Sequence, residues 1–321
     1  ERLAFIHENF FTGQESDFLN KMSLNCSMTF DNLVKLYLED SATRCKPTTQ
    51  HVKTRYIEKW ITPYFNDIPI SEITPAMVRA WQNAVIDSGV AGLTQHNING
   101  YLSAILNYAV KYYSLPFNPV ARVGSIGTTK TDKIDFWTLN EYRHFMSCED
   151  KPAYKIVYET LFYTGLRFGE LLALTLNDID TENGILTVNK NLVKANGKYI
   201  LQTPKTRKST RKITLPQFLV NDLLDYAGKL YGYKPSQNLF FLSNSSMKFE
   251  LDRVAEIAGV KKIRIHDLRH SHASLLINLN FSPTLIADRL GHEKVTTTLN
   301  TYGHLYPSKQ NEVAEKLELL Q

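Results

Sequence analysis

Cysteine is scarce in this chain: Cys26, Cys45 and Cys148 are the three among 321 residues, with no CxxC or zinc-like spacing. A disulfide framework is therefore not expected, a reducing compartment is the simplest setting, and all three are read as buried or half-buried small hydrophobes. Apolar runs of about 18 residues are missing as well, which removes a transmembrane helix. No signal-peptide pattern opens the chain, and Glu1 stands where an initiator methionine would, so residues are expected to be missing upstream. Charge of one sign is not in large excess: 37 Lys and Arg against 32 Asp and Glu leave +5, so any polyanion-binding role rests on where the cations cluster. What is present, 43% hydrophobic and 21% charged residues, is globular composition that argues against disorder. The length predicts roughly two domains.

Residues 1–27 form a weakly periodic lead-in. From 28 to 120 the apolar spacing is helical throughout, which predicts an all-helical unit. In MTFDNLVKLYLED, Thr29 can cap a helix with Phe30, Leu33, Val34, Tyr37 and Leu38 on one face. The next helix places Val52, Tyr56 and Trp60 in a row. In ITPAMVRAWQNAVIDSG, Thr74 caps, Pro75 takes the first helical position and Gly89 stops the helix. A fourth helix carries Ile98, Leu102, Ile105 and Ala109. Lys53, Arg55, Lys59, Arg79 and Lys111 lie among these helices, beside many Tyr and Asn; each alone reads as a solvated charge, and together they are candidates for a DNA-facing surface.

Residues 121–135, rich in Gly, Thr and Lys, read as a linker. A second unit, 136–306, opens with a capping box at Thr138 and Glu141. A helix stops at Gly165, and Arg167 follows at the head of LRFGELLALTLNDID. The apolar period then falls to two: ILTVNK, KYILQT and RKITL predict a small three-stranded antiparallel sheet before helices resume near Pro216. The fold class is thus mainly α with a small antiparallel β-sheet. The tail, 307–321, places Val313, Leu317 and Leu320 at helical spacing, a stripe too short to be stable without docking on something.

Three segments concentrate chemistry. Lys205, Arg207, Lys208, Arg211 and Lys212 crowd one hairpin and would repel one another unless a polyanion lay close, and nucleic acid is the obvious one. IRIHDLRHSHASLLINL carries His266 and Arg269 at a helix start, where free N–H groups attract anions. His270 and His272 read as packing or surface residues. A zinc reading of His266 and His270 lacks the HExxH glutamate and any supporting cysteine. TGLRFGELL carries Arg167, with Glu170 one turn on.

Metal-free cleavage of a phosphodiester draws these together. Two guanidinium forks, Arg167 and Arg269, suit the charge gathering on the non-bridging oxygens. Tyr302 supplies a hydroxyl that can form a covalent phosphoester. Lys205 can protonate the leaving 5′-oxygen, and His266 and His292 can bond the phosphate or assist proton transfer.

With TGLRFGELLALTLNDID, TPKTRKSTRKITLP, HDLRHSHAS and LGHEKVTTTLNTYGHL in this order, the chain resembles the tyrosine recombinases, the family of phage and conjugative-transposon integrases, from Met28 to its end. The family's six active-site positions are matched by Arg167, Lys205, His266, Arg269, His292 and Tyr302, and its supporting acidic position by Glu170. Tyr306 lies beyond the family's interval from LGH and is taken as structural. MTFDNLVKLYLED, ITPAMVRAWQN and YGHLYP look most like integrases of integrative and conjugative elements, which usually carry an N-terminal arm-binding domain; residues 1–27 are too few for one.

The resemblance implies a helical core-binding domain (28–120), a catalytic domain (136–306) and a tail that docks on its own domain or in trans on a neighbouring protomer. It implies strand exchange on double-stranded DNA through a 3′-phosphotyrosine and a Holliday junction. The protein would be a homo-tetramer on DNA and a monomer or dimer when free, with accessory DNA-bending or directionality factors. No cofactor, metal or ATP is expected, and the setting would be a bacterial cytoplasm at the nucleoid. Two rivals remain at this point: a non-catalytic helix-turn-helix regulator built on SPTLIADRLGHEKVTTTLNTYGHL, and a type IB topoisomerase-like enzyme. Metal-dependent transposase chemistry is disfavoured, because Asp178 and Asp180 read as a turn pair and no third carboxylate is marked out.

Overall fold

The computed structural model describes residues 28–129, 134–195, 198–202, 210–306 and 317–318. It divides into two compact units, residues 1–132 and 133–321. Lys205, Arg207 and Lys208, the lead-in 1–27, Cys26 and most of the tail lie outside the described residues.

The first unit is helical: α1 (Phe30–Ala42), α2 (Pro47–Trp60), the short α3 (Thr62–Phe65), α4 (Pro75–Asp87), α5 (Gly92–Tyr112) and α6 (Pro119–Val123). Local chemistry starts several of these. Thr74 accepts the amide of Met77 and Pro75 opens α4, as its sequence predicts, and Asn118 does the same for α6 through Val120. Phe30, Leu33 and Val34 of α1 meet Val78, Trp81 and Val85 of α4 and Ile98, Leu102 and Ile105 of α5 in one core. The indole N–H of Trp81 donates to the carbonyl of Trp60 at 2.7 Å, tying α4 to the end of α2.

Two expectations are corrected here. The buried residues of α2 are Lys53 and Ile57, whereas Val52 is 46% exposed and Tyr56 and Trp60 are only half buried. The row Val52, Tyr56, Trp60 therefore borders an open cleft of about 720 Å³, lined also by Arg55, Lys59, Val90 and Thr94. The stretch read as a linker also begins later than residue 121. Ile126 is buried, Gln82 donates to the carbonyl of Gly124 at 2.8 Å, and the amide of Thr128 donates to the carbonyl of Gly92 at 3.1 Å. A side chain at Gly127 would collide with that same carbonyl, so its glycine is what lets this segment lie against α5.

In the second unit, α7 (Leu139–Cys148) starts at the capping box of Thr138 and Glu141 foreseen from sequence. It is followed by α8 (Pro152–Thr164) and α9 (Phe168–Leu172). The sheet differs from expectation. β1 (Ile179–Asp180), β2 (Ile185–Val188) and β5 (Arg211–Thr214) form an antiparallel three-stranded sheet in the order β1-β2-β5. KYILQT is not part of it: β4 (Lys198–Gln202) pairs with β3 (Asn191–Ala195) as a separate ribbon. α10 (Gln217–Gly228), α11 (Asn244–Ile257), α12 (Asp267–Asn278), α13 (Pro283–Leu290) and α14 (Val295–Tyr302) complete the unit. Its main core gathers Trp137, Phe145, Tyr158, Phe162, Leu186, Leu219 and Leu251, while a satellite cluster of Ala273, Ile277, Ile286 and Leu290 encloses Tyr302. Among the described residues no helix is long and apolar enough to cross a membrane. Cys45 and Cys148 are unpaired and half buried.

Candidate active site

Two left-handed glycines set the frame. Gly165 ends α8 at φ 66° and Gly291 ends α13 at φ 69°, each turning the chain sharply where a side chain would be strained. At Gly165 space is also lacking, since a Cβ would lie 2.7 Å from the His272 ring and 2.8 Å from a Leu290 methyl. Arg269, on the first turn of α12, bridges the two turns: Nη1 donates to the carbonyl of Gly165 at 2.7 Å and Nη2 to that of Leu290 at 2.6 Å. The side chain is 3% exposed, and burial, then the neighbouring charge of Arg167, both work against its own charge while Glu170 supports it.

Arg167 stands in extended backbone just before α9. Glu170 accepts both its amide and its Nη1, each at 2.9 Å. Glu170 itself is buried, which alone would raise its pKa, but Arg211 above all and then Arg167 outweigh burial and hold the carboxyl below its ordinary value. The guanidinium of Arg211 makes two bonds to that carboxylate, and its Nε donates to the carbonyl of Arg289 at 2.8 Å.

Arg211 was expected among the DNA-facing cations, and the structure corrects this. On β5 the pleat turns Arg211 and Ile213 inward and Lys212 and Thr214 outward, so of this adjacent pair only Lys212 is exposed. Lys53 is corrected likewise: it is 8% exposed, with Nζ 5.0 Å from the centre of the Tyr37 ring. Arg55, Lys59, Arg79 and Lys111 are exposed, though Arg79 spends one donor on the carbonyl of Val123 at 2.9 Å.

Tyr302 closes α14 with its ring 1% exposed. Its hydroxyl lies 2.6 Å from Nδ1 of His270, a residue whose sequence context reads as packing or surface. Burial pushes the phenol up to about 12, with Arg269 pulling the other way. His292 follows Gly291, and its Nδ1 is 2.8 Å from the hydroxyl of Thr298, a fully buried residue of α14. Burial, then Arg269 and Arg167, bring His292 to about 4, and His266 is lowered for the same first two reasons, burial and Arg269. Both rings are therefore neutral near pH 7.

His272 and Arg289 lie beneath these groups. The His272 ring is fixed between the carbonyl of Phe162, 2.7 Å from Nδ1, and Nε of Arg289, 3.0 Å from Nε2, so Nδ1 carries the proton. Arg289 also donates to the carbonyls of Thr214 and Tyr163, both at 3.1 Å. No local pattern marks Arg289, because its role depends on partners far away in the chain. The structure thus brings Arg167, Glu170, His266, Arg269, His292 and Tyr302 into one electrostatic neighbourhood and adds Arg211, His270, His272 and Arg289 to it.

Two guanidinium groups that bear on one another, a buried tyrosine hydroxyl next to one of them, and neutral histidines are groups that can together bind a phosphodiester and attack it covalently. Residues 136–309 match the phage integrase family, and residues 29–86 match the N-terminal SAM-like domain of phage integrases. The ICEBs1 integrase of Bacillus subtilis (strain 168) is 31% identical over 311 residues, spanning 91% of this chain and 83% of that protein. The integrase of Staphylococcus phage L54a is 27% identical, over 69% of this chain and 73% of its own. Among solved structures, the Tn1549 transposon integrase in complex with transposon right end DNA superposes with a TM-score of 0.77 at 21% identity, covering 92% of this chain and 100% of that one. A lambda integrase tetramer bound to a Holliday junction gives 0.66 at 21% identity, covering 91% and 86%. This chain belongs to the phage integrase family, the tyrosine recombinases, enzymes that break and rejoin DNA. Its fold, mostly helical with small antiparallel sheets, is that of the Tn1549 and lambda integrases.

Proposed function

We propose that this recombinase serves an integrative and conjugative element, cutting and rejoining double-stranded DNA at the element ends and the target site. The observation that carries the chemical reading is the place of Arg269, which interacts both with the charge of Arg167 and with the sheltered phenol of Tyr302. Each guanidinium keeps N–H donors beyond those already bonded within the protein, which suits the two non-bridging oxygens of a phosphodiester. Tyr302 attacks phosphorus and forms a 3′-phosphotyrosine, Lys205 protonates the departing 5′-oxygen, and His266 and His292 bond the phosphate. Glu170 keeps Arg167 in position. Because the phosphotyrosine conserves the bond energy, the freed 5′-hydroxyl of the partner strand can attack it, forming and then resolving a Holliday junction.

The cleft bordered by Arg55, Lys59 and Trp60, with the exposed Arg79 and Lys111, is the DNA-facing surface of a core-binding domain, and Lys212, Arg207 and Lys208 serve the catalytic domain in the same way. The working assembly is a homo-tetramer on DNA in a bacterial cytoplasm, with the tail docked on a neighbouring protomer.

The test uses nicked duplexes tiled from the DNA flanking the coding sequence, incubated with the protein and run on denaturing gels. A covalent adduct that Tyr302→Phe abolishes is the expected result. Binding without adduct on every duplex would overturn the reading in favour of a regulator. Relaxation of supercoiled plasmid without a paired site would favour the topoisomerase reading. For Lys205→Ala, a 5′-bridging sulfur should restore cleavage, because a thiolate leaves without a proton.

A further inference from the structure

His270 touches the nucleophile, yet it is not among the six positions that the family motifs match. Its Nδ1 is 2.6 Å from the Tyr302 hydroxyl, with the rings 5.6 Å apart at 61°. The other nitrogen, Nε2, lies 3.9 Å from Oδ1 of Asp267. One turn of α12 thus carries a carboxylate and an imidazole, and the imidazole meets the hydroxyl of Tyr302 on α14. With a proton on Nε2, facing Asp267, the ring presents the Nδ1 lone pair to the phenol.

We infer that His270 is the base that takes the proton of Tyr302 during DNA cleavage, with the carboxylate of Asp267 near enough to stabilise the imidazolium that forms. The assignment rests on the recombinase chemistry proposed above. As the phenol O–H bond breaks toward Nδ1, the oxygen bonds to phosphorus, the bond from phosphorus to the 5′-oxygen breaks, and that oxygen takes a proton from its own acid. On rejoining, the incoming 5′-hydroxyl displaces the tyrosine oxygen, which recovers its proton from His270. No oxidant or metal enters the balance.

Three observations favour His270 over the other histidines. His292 bonds Thr298 through Nδ1, and His272 is occupied on both nitrogens. His266 meets His270 edge to face, ring centres 5.1 Å apart, and among the described residues no hydrogen bond joins it to Tyr302. Burial, then the proximity of His266, lowers His270 to about 4, so the ring is an unprotonated acceptor at pH 7. The groups that bear on its titration are His266, Asp267, Arg264 and Arg269 at the start of its own helix and His292 and Tyr302 from the segment packed against it. A phenol pushed up to about 12 stays protonated at neutral pH, so its attack needs an acceptor within hydrogen-bond reach, and the His270 ring is one.

The experiment measures adduct formation by the full chain on the nicked duplexes, for the parent, His270→Ala and His270→Gln. The glutamine can still bond the hydroxyl but cannot carry its proton, so it separates holding from proton transfer. Both variants should form adduct about 100-fold more slowly while binding the duplex as the parent does. Replacing Tyr302 by 3,5-difluorotyrosine, whose phenol ionises more readily, should speed His270→Ala by about tenfold and the parent far less, whereas a 5′-bridging sulfur should not help. A merely structural histidine would show no such selective rescue. Parental rates in His270→Gln, no gain from the fluorinated ring, or rescue by sulfur would each overturn the assignment while leaving the recombinase reading intact. No adduct from the parent on any duplex would overturn both.

Discussion

Arg211 and Glu170 form a buried two-bond pair: Nη1 lies 3.1 Å from Oε1 and Nη2 2.9 Å from Oε2, with both side chains almost fully enclosed. Because the same carboxylate holds the amide and side chain of Arg167, strand β5 indirectly sets where that guanidinium stands. Arg211 is therefore part of the platform beneath the site.

Truncating that arginine leaves a buried carboxylate short of its main partner. Arg211→Ala should cost about 3–5 kcal/mol of folding stability, read from urea unfolding. The adjacent Lys212→Ala should stay within about 0.5 kcal/mol, because its side chain is exposed on the other face of the strand. Equal effects from the two would refute the inward orientation of Arg211.

Arg167→Lys and Arg269→Lys should each slow adduct formation by an amount equivalent to about 3 kcal/mol of transition-state stabilisation, since an ammonium cannot span two oxygens. Only Arg269→Lys should also lower the melting temperature clearly, as its buried guanidinium bonds the carbonyls of both Gly165 and Leu290. A parental cleavage rate in either variant would remove the clamp.

Tyr306 tests the choice of nucleophile. Its hydroxyl is buried, and among the described residues no hydrogen-bond partner faces it. Tyr306→Phe should therefore be neutral or slightly stabilising and keep the covalent adduct. Tyr302→Phe should lose about 1 kcal/mol with its bond to His270 and lose the adduct entirely. Reversed outcomes on the denaturing gel would move the nucleophile to Tyr306.

Acid should destabilise this site. His270 and His292 lie at about 4 and His272 at about 3 in the folded protein, all through burial first, against an ordinary value of 6.5. The folded state thus binds fewer protons than the unfolded chain. Its stability is complete above about pH 6.5 and falls as pH drops through the window toward those lower values. Urea midpoints measured between about pH 7.5 and pH 5 should decline, and His272→Gln should flatten the slope. A midpoint that rises on acidification would contradict the buried neutral rings.

Much of this architecture is legible in the order of residues. The four motifs mark the family, and Thr74, Thr138, Gly165 and Gly291 mark helix ends, because capping and left-handed turns are settled by a few neighbouring residues. The sheet is legible only in part. A period of two finds strands but cannot pair them: KYILQT closes onto Asn191–Ala195, the nearest partner along the chain, and the two-residue β1 is too short to show any alternation.

The candidate residues and their order are read from the chain alone, since Tyr302, the two arginines and their flanking motifs are marked by chemistry and local spacing. Which face each side chain took was left to packing. The side of a pleat put Arg211 inside, the rotation of α2 put Lys53 under Tyr37, and the meeting of α12 with α14 brought His270 to the Tyr302 hydroxyl. Spacing along a chain fixes a residue's angle about its own helix or strand; the element that meets that angle comes from distant segments burying their apolar faces together.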